Sequence, residues 1–251
     1  MLGVGHLAGF ILQGLNRTQI CHRFVLSPRN RERAEALSRQ YGAEVAVDNQ
    51  AVVDMSDIVL VCLPAASGRE ILTGLTFCKD QIVLSAMAGT GQGELERIVS
   101  PAAACRTMMP GHANALGIGP SLLYPANAAC EDLLQRLGPV HVLDDAATFE
   151  VACVFGAFSG ASFVYMQRII AWFELHGVPA GIARNLIAET LGGNAEVVRN
   201  VDQSLETIVK GIATPGGITR QVLDIVEADG GLDIWPSALE TVHKRMRNGM
   251  D

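Results

Sequence analysis

The sequence predicts an α/β domain with a parallel sheet and flanking helices, followed by an all-α domain. Short apolar runs alternate with helical patterns through the first half of the chain, which is typical of parallel strands joined by crossover helices. A glycine-rich turn opens the chain, and strand-like segments stop near residue 145. We therefore predict two domains, at residues 1–145 and 146–251.

The predicted strands are apolar runs bounded by polar or turn residues. Residues 58–63 form an uninterrupted run, as expected for a strand that is covered on both faces. The other predicted strands are residues 23–26, 81–86, 105–109, 121–124 and 140–143. The helices predicted among them are residues 7–15, 31–41 and 131–137, with a loop and helix over 89–100.

The second half carries helical patterns with little strand signal. The predicted helices are residues 148–176, 180–199, 205–211, 218–228 and 235–247. Residues 151–166 form the longest uncharged apolar stretch, which is short for a membrane span of about 20 residues. Four glycines and serines interrupt it, so we expect a buried helix in a protein–protein contact, and no membrane partner.

Composition and charge limit the possible partners. The chain has 251 residues, of which 49% are hydrophobic and 18% charged, and its net charge is −7. This is a globular composition. The negative charge argues against binding to nucleic acid or to an anionic membrane, because both need a basic patch.

The cysteines and histidines predict neither a disulfide framework nor a metal site. The six cysteines are scattered without a Cys-x-x-Cys pair, and the six histidines lack ligand spacing. The first residues show no basic segment before a long apolar run, so no signal peptide is expected. We expect free thiols in a reducing cytoplasm.

The opening residues form a G-x-G-x-x-A fingerprint of the Rossmann type. Gly3 permits a tight turn, Gly5 lets backbone N–H groups approach a pyrophosphate, and Ala8 allows close helix–strand packing. The helix predicted from Leu7 has its positive end facing the phosphates, and His6 and Leu7 are predicted cofactor contacts at that end. Only two residues precede Gly3, so either the start is truncated or misassigned, or the first strand is unusually short.

The segment after the second strand predicts NADP(H) as the cofactor. NAD-binding domains usually place an acid there to accept the ribose 2′-hydroxyl. Here Ser27 can donate to a 2′-phosphate, and the guanidinium of Arg29 or Arg31 can bind it. The alternative is a pair of solvated arginines at a helix start, where a positive charge is unfavourable.

With these parts placed, the chain resembles the pyrroline-5-carboxylate reductase family over nearly its whole length. The Thr214–Thr219 segment is the most specific match, since its order and place resemble the family's S-P-G-G-x-T loop. The matching segments are the fingerprint at Gly3, Val61-Cys62-Leu63-Pro64, Ser85-Ala86-Met87-Ala88-Gly89, Met109-Pro110, Ser159-Gly160-Ala161-Ser162-Phe163-Val164-Tyr165 and Thr214-Pro215-Gly216-Gly217-Ile218-Thr219.

The resemblance implies an NADPH-dependent reduction of the C=N bond of a cyclic imino acid, as in proline biosynthesis. It implies cofactor contacts from Leu63, Pro64, Ala88, Gly89 and Pro110. It also implies a homodimer, or a higher assembly of dimers, in which one chain's loop completes the site of the other.

The substrate residues that we predict share the helical domain. A two-glycine loop that leads into a helix offers N–H donors to a carboxylate, and the Thr219 hydroxyl would bond the imine nitrogen as the catalytic residue. The alternative is an ordinary turn between helices. The predicted substrate-binding residues are Thr214, Gly216, Gly217, Ile218, Ser159 and Gly160.

Three segments depart from the family's pattern and leave the exact imine open. The usual M-P-N-T-P is Met109-Pro110-Gly111-His112-Ala113, so an asparagine near the nicotinamide is lost. The usual S-G-S-G-P-A is Ala157-Phe158-Ser159-Gly160-Ala161-Ser162, and a usual Lys-Pro is Leu63-Pro64. His112 is either a new substrate contact or a packed or solvated side chain.

Two other functions remain open from the sequence. A β-hydroxyacid dehydrogenase shares the two-domain plan but uses a lysine early in the long interdomain helix. The lysines here are Lys79, Lys210 and Lys244, and none lies within 148–176. The second alternative is a nucleotide-binding protein with little or no catalysis, acting as a sensor or scaffold. The altered segments at 111–113 and 157–161 are consistent with it.

Overall fold

The computed structural model describes residues 1–18 and 23–247. The chain divides into two compact units. The α/β unit comprises Met1–Gly156 and the end of the last helix from Val242, and the helical unit comprises Ala157–Thr241. Cys21, one of the six cysteines, lies outside the described residues. The boundary between residues 145 and 146 stays a prediction about where the two domains separate.

The first half of the chain alternates helices with short strands. The strands are β1 (Val25–Leu26), β2 (Glu44–Val45), β3 (Ile58–Val61), β4 (Ile82–Ser85), β5 (Ala103–Met108), β6 (Ser121–Tyr124) and β7 (Val140–Val142). The helices are α1 (His6–Asn16), α2 (Arg31–Tyr41), α3 (Asn49–Asp54), α4 (Ala65–Thr73), α5 (Gln92–Val99), α6 (His112–Ala115), α7 (Ala128–Gln135) and α8 (Ala146–Ala152).

The strands form two sheets that the first residues connect. The larger sheet has the order β3-β4-β5-β6-β7, and β1 pairs with β2 in a smaller one. Leu2 forms an isolated parallel bridge with Val61, while the Ser27 N–H donates to the Met1 carbonyl at 3.0 Å. The two residues before Gly3 therefore form a single bridge between the two sheets and not a full strand.

One strand pair departs from the parallel arrangement. β3, β4 and β5 are mutually parallel, whereas β6 runs antiparallel to β5, and β7 is again parallel to β6. Between β5 and β6 the chain forms only the short helix α6. Parallel neighbours need a long crossover, so this short connection returns the chain in the opposite direction.

The central strands bury side chains on both faces of the sheet. Successive side chains of a strand point to opposite faces. Val59 and Val61 accordingly pack with Val83 in one core cluster, while Leu60 and Leu84 pack with α1 in the other. This two-sided burial explains why the run at 58–63 contains no polar position.

The remaining helices are α9 (Phe155–Leu175), α10 (Ala180–Asn200), α11 (Leu205–Ile212), α12 (Ile218–Ala228) and α13 (Ile234–Arg247). The helix predicted over 148–176 is thus two helices, α8 and α9. Phe149, in α8, is fully buried in the α/β unit, whereas no residue of α9 is buried. The α/β architecture followed by helices is confirmed.

The helical unit has almost no core of its own. Among residues 157–241, all of which the structure describes, Ala183 is the one buried residue. Large apolar side chains are exposed along it, among them Phe163, Val164, Trp172, Leu175 and Ile182. By length and composition alone, Ala146–Leu175 would also be apolar enough to cross a membrane.

Candidate functional site

A groove of about 710 Å³ lies at the N-terminal end of α1. Residues from the fingerprint, from the end of β1 and from the loop after β3 line it, which places the groove at the carboxyl ends of the strands. Ligands of open α/β sheets bind at this edge. The lining includes Gly3, Gly5, Leu7, Ser27, Arg29, Arg31, Leu63 and Pro64, all predicted to contact the cofactor.

The two fingerprint glycines meet different steric demands. Gly3 has φ +86°, and a Cβ there would lie 2.6 Å from the Cys62 carbonyl oxygen, so this position requires glycine. Gly5 has an ordinary φ of −75° and caps α1 without a side-chain bond, and a Cβ there would meet nothing within 4 Å. Empty space beside an uncapped helix N-terminus fits a bound pyrophosphate.

The basic end of the groove combines one buried hydroxyl with exposed arginines. Ser27 is buried, and its Oγ accepts a hydrogen bond of 3.0 Å from the Gly3 N–H. Its own hydroxyl hydrogen can still be donated. Arg29 and Arg31 are exposed, and Arg31 also bonds Glu35 at 2.9 Å. The three residues fit a 2′-phosphate.

The groove also contains residues that the sequence did not single out. Asn30 caps α2 by accepting from the Arg33 N–H, and Glu32 lies in the first turn of that helix. Asn49 lines both this groove and a neighbouring cavity of about 590 Å³. The signal for Asn49 was available, because Asp48 before it is a typical N-cap residue for α3.

Five residues predicted to contact the cofactor do not line the groove. Ala8 is fully buried beneath it, and His6 is exposed beside it. Ala88, Gly89 and Pro110 lie on the loops after β4 and β5, outside the groove lining. Their roles as cofactor contacts remain predictions.

The segment that replaces the family's M-P-N-T-P has a distinct structure. Gly111 has φ +92°, and a Cβ there would lie 2.7 Å from the Phe10 ring. The rings of Phe10 and His112 are 4.2 Å apart. A residue with a side chain, such as the family's asparagine, would therefore clash at position 111. The contact between the tilted rings of Phe10 and His112 lies where the side chain of that asparagine is expected.

The predicted substrate loop connects α11 to α12 in the helical unit. Gly216 has φ +74°, and the Gly217 N–H donates to the Thr214 carbonyl at 2.9 Å in a tight turn. Gly217 caps α12 without a side-chain bond, so the first N–H groups of the helix, beginning at Ile218, are free for a ligand. The Gly217 N–H is already engaged. Thr219 is half-buried in the first turn.

Ser159 and Gly160 lie in the first turns of α9. The Ser159 carbonyl accepts from the Ser162 hydroxyl at 2.8 Å, and a Cβ on Gly160 would meet nothing within 4 Å. Phe158, which takes the place of a family glycine, packs edge-on against Trp235 with ring centres 5.7 Å apart. Among the described residues, no hydrogen bond joins this turn to the Thr214–Thr219 loop.

The environment of four cysteines shifts the pKa of their thiols. Burial raises the pKa of Cys62 to about 12 and that of Cys153 to about 12. A hydrogen bond with Cys105 raises the pKa of Cys130, and the same bond lowers the pKa of Cys105. Within residues 1–18 and 23–247, no three metal-binding side chains gather in one place.

Two family models match the two parts of the chain. The model described as NADP oxidoreductase coenzyme F420-dependent matches residues 1–89. The model described as pyrroline-5-carboxylate reductase dimerisation matches residues 148–249, which include the Thr214–Thr219 loop. The second match therefore covers the whole of the helical unit.

Curated relatives match along the whole chain. Pyrroline-5-carboxylate reductase 1 of Bacillus subtilis is 23% identical over 265 residues, which cover 98% of this chain and 87% of the relative. The chain is therefore similar to pyrroline-5-carboxylate reductases over nearly its whole length. The Escherichia coli pyrroline-5-carboxylate reductase is 22% identical over 241 residues, covering 91% of this chain and 89% of that enzyme.

Solved structures of family members share the fold. The 1-pyrroline-5-carboxylate reductase of Streptococcus pyogenes superposes with a TM-score of 0.88 at 20% identity, covering 98% of this chain and 96% of that one. The Plasmodium falciparum pyrroline carboxylate reductase, solved with NADP bound, gives 0.87 at 17% identity and covers 98% and 95%. The fold predicted from the sequence is confirmed, and so is the resemblance to pyrroline-5-carboxylate reductases.

Proposed function

We propose that this protein, which is similar to pyrroline-5-carboxylate reductases, is an NADPH-dependent reductase of a cyclic imino acid. The observation that supports this most strongly is the groove at α1, where the fingerprint glycines lie beside Ser27 and two arginines. The match to the family's dimerisation region, which contains the two-glycine loop, supports the proposed binding of the substrate. The reaction is of the proline-biosynthesis type.

The residues of the groove divide the binding of the cofactor. The free N–H groups at the start of α1 hold the pyrophosphate, and Gly5 keeps that approach open. Ser27, Arg29 and Arg31 hold the 2′-phosphate by charge-assisted hydrogen bonds. The bound NADPH supplies the hydride for the imine carbon.

The Thr214–Thr219 loop binds the substrate. The uncapped N-terminus of α12 attracts a carboxylate through its free N–H groups and its dipole, and no acidic residue stands in its first turn. The Thr219 hydroxyl hydrogen-bonds the imine nitrogen. Ser159 and Gly160 contribute a small-residue wall, with Thr214 and Gly216 shaping the loop.

We also propose that the active form is a homodimer in the cytoplasm. The helical unit leaves large apolar side chains exposed along α9 and α10. A helix that is apolar on every side must be covered, and the match to a dimerisation domain favours a second copy over a bilayer. The negative net charge also argues against a membrane surface and against nucleic acid.

A wider imine substrate range is the second candidate. A reductive aminase of Aspergillus terreus, solved with NADPH and ethyl-5-oxohexanoate, has the same fold with a TM-score of 0.57. In this chain Gly111, His112 and Phe158 depart from the usual family residues. These departures favour testing imines besides pyrroline-5-carboxylate.

Steady-state turnover tests the proposal. Purified protein is assayed for NADPH oxidation with pyrroline-5-carboxylate and with cyclic imines that differ in ring size or lack the carboxylate. NADP reduction by a β-hydroxy acid is measured in parallel. We expect turnover with carboxylated cyclic imines. Turnover of the hydroxy acid alone would indicate a β-hydroxyacid dehydrogenase, and cofactor binding without any turnover would indicate a non-catalytic protein.

A further inference from the structure

A small cavity outside the cofactor groove contains polar groups that the proposed reaction does not use. Its volume is about 130 Å³, and its lining joins the loop before α5 to β5, α8 and the end of α13. None of these residues lines the cofactor groove. The cavity is lined by Gly89, Thr90, Gly91, Arg106, Glu150, Met246 and Arg247.

Arg106 brings a buried positive charge to this cavity. The residue is only 6% exposed, and its guanidinium lies 4.8 Å from the centre of the Phe149 ring. Its ion-pair partner is Glu150, whose carboxylate is 3.3 Å away and partly exposed. A buried guanidinium needs close compensation for its lost hydration, and a partly solvated carboxylate at this distance supplies only part of it.

Thr90 adds a buried hydroxyl without a partner. The residue is 1% exposed, and its Oγ1 has no hydrogen-bond partner among the described residues. Leaving such a group unsatisfied destabilises the fold. A hydroxyl is a donor, so an acceptor inside the cavity would remove this destabilisation.

The N-terminus of α5 points to the same kind of ligand. Gly91, which lines the cavity, is the N-cap residue of α5, and no side chain caps this helix in the described structure. Its first N–H groups are unsatisfied donors at the positive end of the helix dipole. A buried guanidinium, a buried hydroxyl and an uncapped helix thus meet at one cavity.

We propose that this cavity binds a small monovalent anion such as chloride or formate. Arg106 supplies the charge, and Thr90 and the start of α5 supply hydrogen bonds. Arg247 and Glu150 carry opposite charges at the same cavity, so one positive charge remains to be balanced. The cavity of about 130 Å³ has room for only about four waters at ~30 Å³ each, so it suits a small anion and not one as bulky as gluconate.

Thermal unfolding at constant ionic strength tests this site. Wild type is compared in sodium gluconate, whose anion is too bulky for the cavity, and in sodium chloride or formate. Binding to the folded state alone raises the midpoint, by about 2–4 °C when the anion is near ten times its Kd. Thr90→Val removes the hydroxyl and should abolish most of this shift. Thr76→Val, at an exposed threonine of the same unit, should keep it.

The same variants distinguish an anion site from a structural threonine. In gluconate, Thr90→Val should unfold at the wild-type temperature or above it, because an unpaired buried hydroxyl has been removed. A lower midpoint there would show that Thr90 has a structural partner and would overturn the site. So would an unchanged wild-type midpoint in both small anions, which indicates water alone, or an equal anion-dependent shift in Thr90→Val.

Discussion

The two units of this protein differ in how they bury apolar surface. In the α/β unit the strands carry buried side chains on both faces, and two large clusters enclose the sheet. In the helical unit α9, α11 and α12 contain no buried residue, although all three are rich in apolar side chains. The first unit has a complete core within one chain, and the second does not.

This difference separates two sources of stability. The α/β unit buries its apolar side chains within one chain, so its stability should be independent of protein concentration. In the proposed homodimer the helical unit gains burial from a second molecule, so its stability should follow association, as for obligate dimers. Four experiments challenge this contrast, from the largest expected effect to the smallest.

A charge placed on α9 should have the largest effect. Val164→Asp puts a carboxylate on the exposed apolar face, where a dimer would have to bury it twice at about 3 kcal/mol or more each. We expect sedimentation to show monomers and activity to fall at least 100-fold. Ile118→Asp, at an exposed apolar residue of the α/β unit, should stay dimeric and active. A dimeric, active Val164→Asp protein would contradict the proposed interface.

A matched pair of glycine variants examines the α/β unit. Gly3→Ala should lower the free energy of unfolding by about 2–4 kcal/mol, because its φ is positive and its Cβ meets the Cys62 carbonyl. Gly5→Ala should cost under about 1 kcal/mol, since its backbone is ordinary and its surroundings are open.

The two glycine variants should also be tested for cofactor binding, where we expect Gly5→Ala to have the larger effect. Gly5→Ala should weaken NADPH binding strongly, because the methyl group would occupy the approach of the pyrophosphate. Chemical denaturation and NADPH titration measure the two effects separately. Normal NADPH affinity in Gly5→Ala would place the pyrophosphate elsewhere.

Removing a basic side chain should change cofactor preference. Arg29→Ala should weaken NADPH binding by about 1.5–3 kcal/mol, through loss of a charge-assisted bond to the 2′-phosphate, and should leave NADH almost unaffected. Titration of both cofactors measures this. Arg39→Ala, at an exposed arginine that does not line the groove, is the control. Equal losses for NADPH and NADH would refute the 2′-phosphate assignment.

The smallest effect is expected from one hydroxyl in the helical unit. Thr219→Ala should lower imine turnover about 10-fold, the equivalent of about 1.4 kcal/mol, while NADPH affinity stays normal. Thr219→Ser should restore most of the turnover. Thr241→Ala, which removes a hydroxyl that bonds the Ser237 carbonyl, should have full activity. Full turnover in Thr219→Ala would show that Thr219 has no catalytic role and only begins the helix.

Much of the fold could be predicted from the sequence where local patterns coincide with tertiary burial. The strand predicted over 58–63 contains β3, and the helix predicted over 31–41 is α2. The elements that were missed include β2 with two residues, α3 with six and α4 with nine. At such lengths apolar periodicity carries few positions from which an element can be recognised.

Part of the candidate site could be predicted for a similar reason. Gly3 is required by backbone geometry, Gly5 leaves space for the pyrophosphate in the same turn, and Ser27 and Arg29 follow directly from the end of a strand. Asn49 was missed because it reaches the same groove from a distant part of the chain. The contact between the rings of His112 and Phe10 likewise joins residues that are far apart in sequence.

The sequence by itself determined the α/β class, the fingerprint and the basic end of the groove, because each depends on residues that are neighbours along the chain. Only the tertiary structure decided the antiparallel β6, the cavity at Thr90 and Arg106, and the uncovered faces of the helical unit. These features depend on which distant segments fill the space around a residue, and that information is absent from local periodicity.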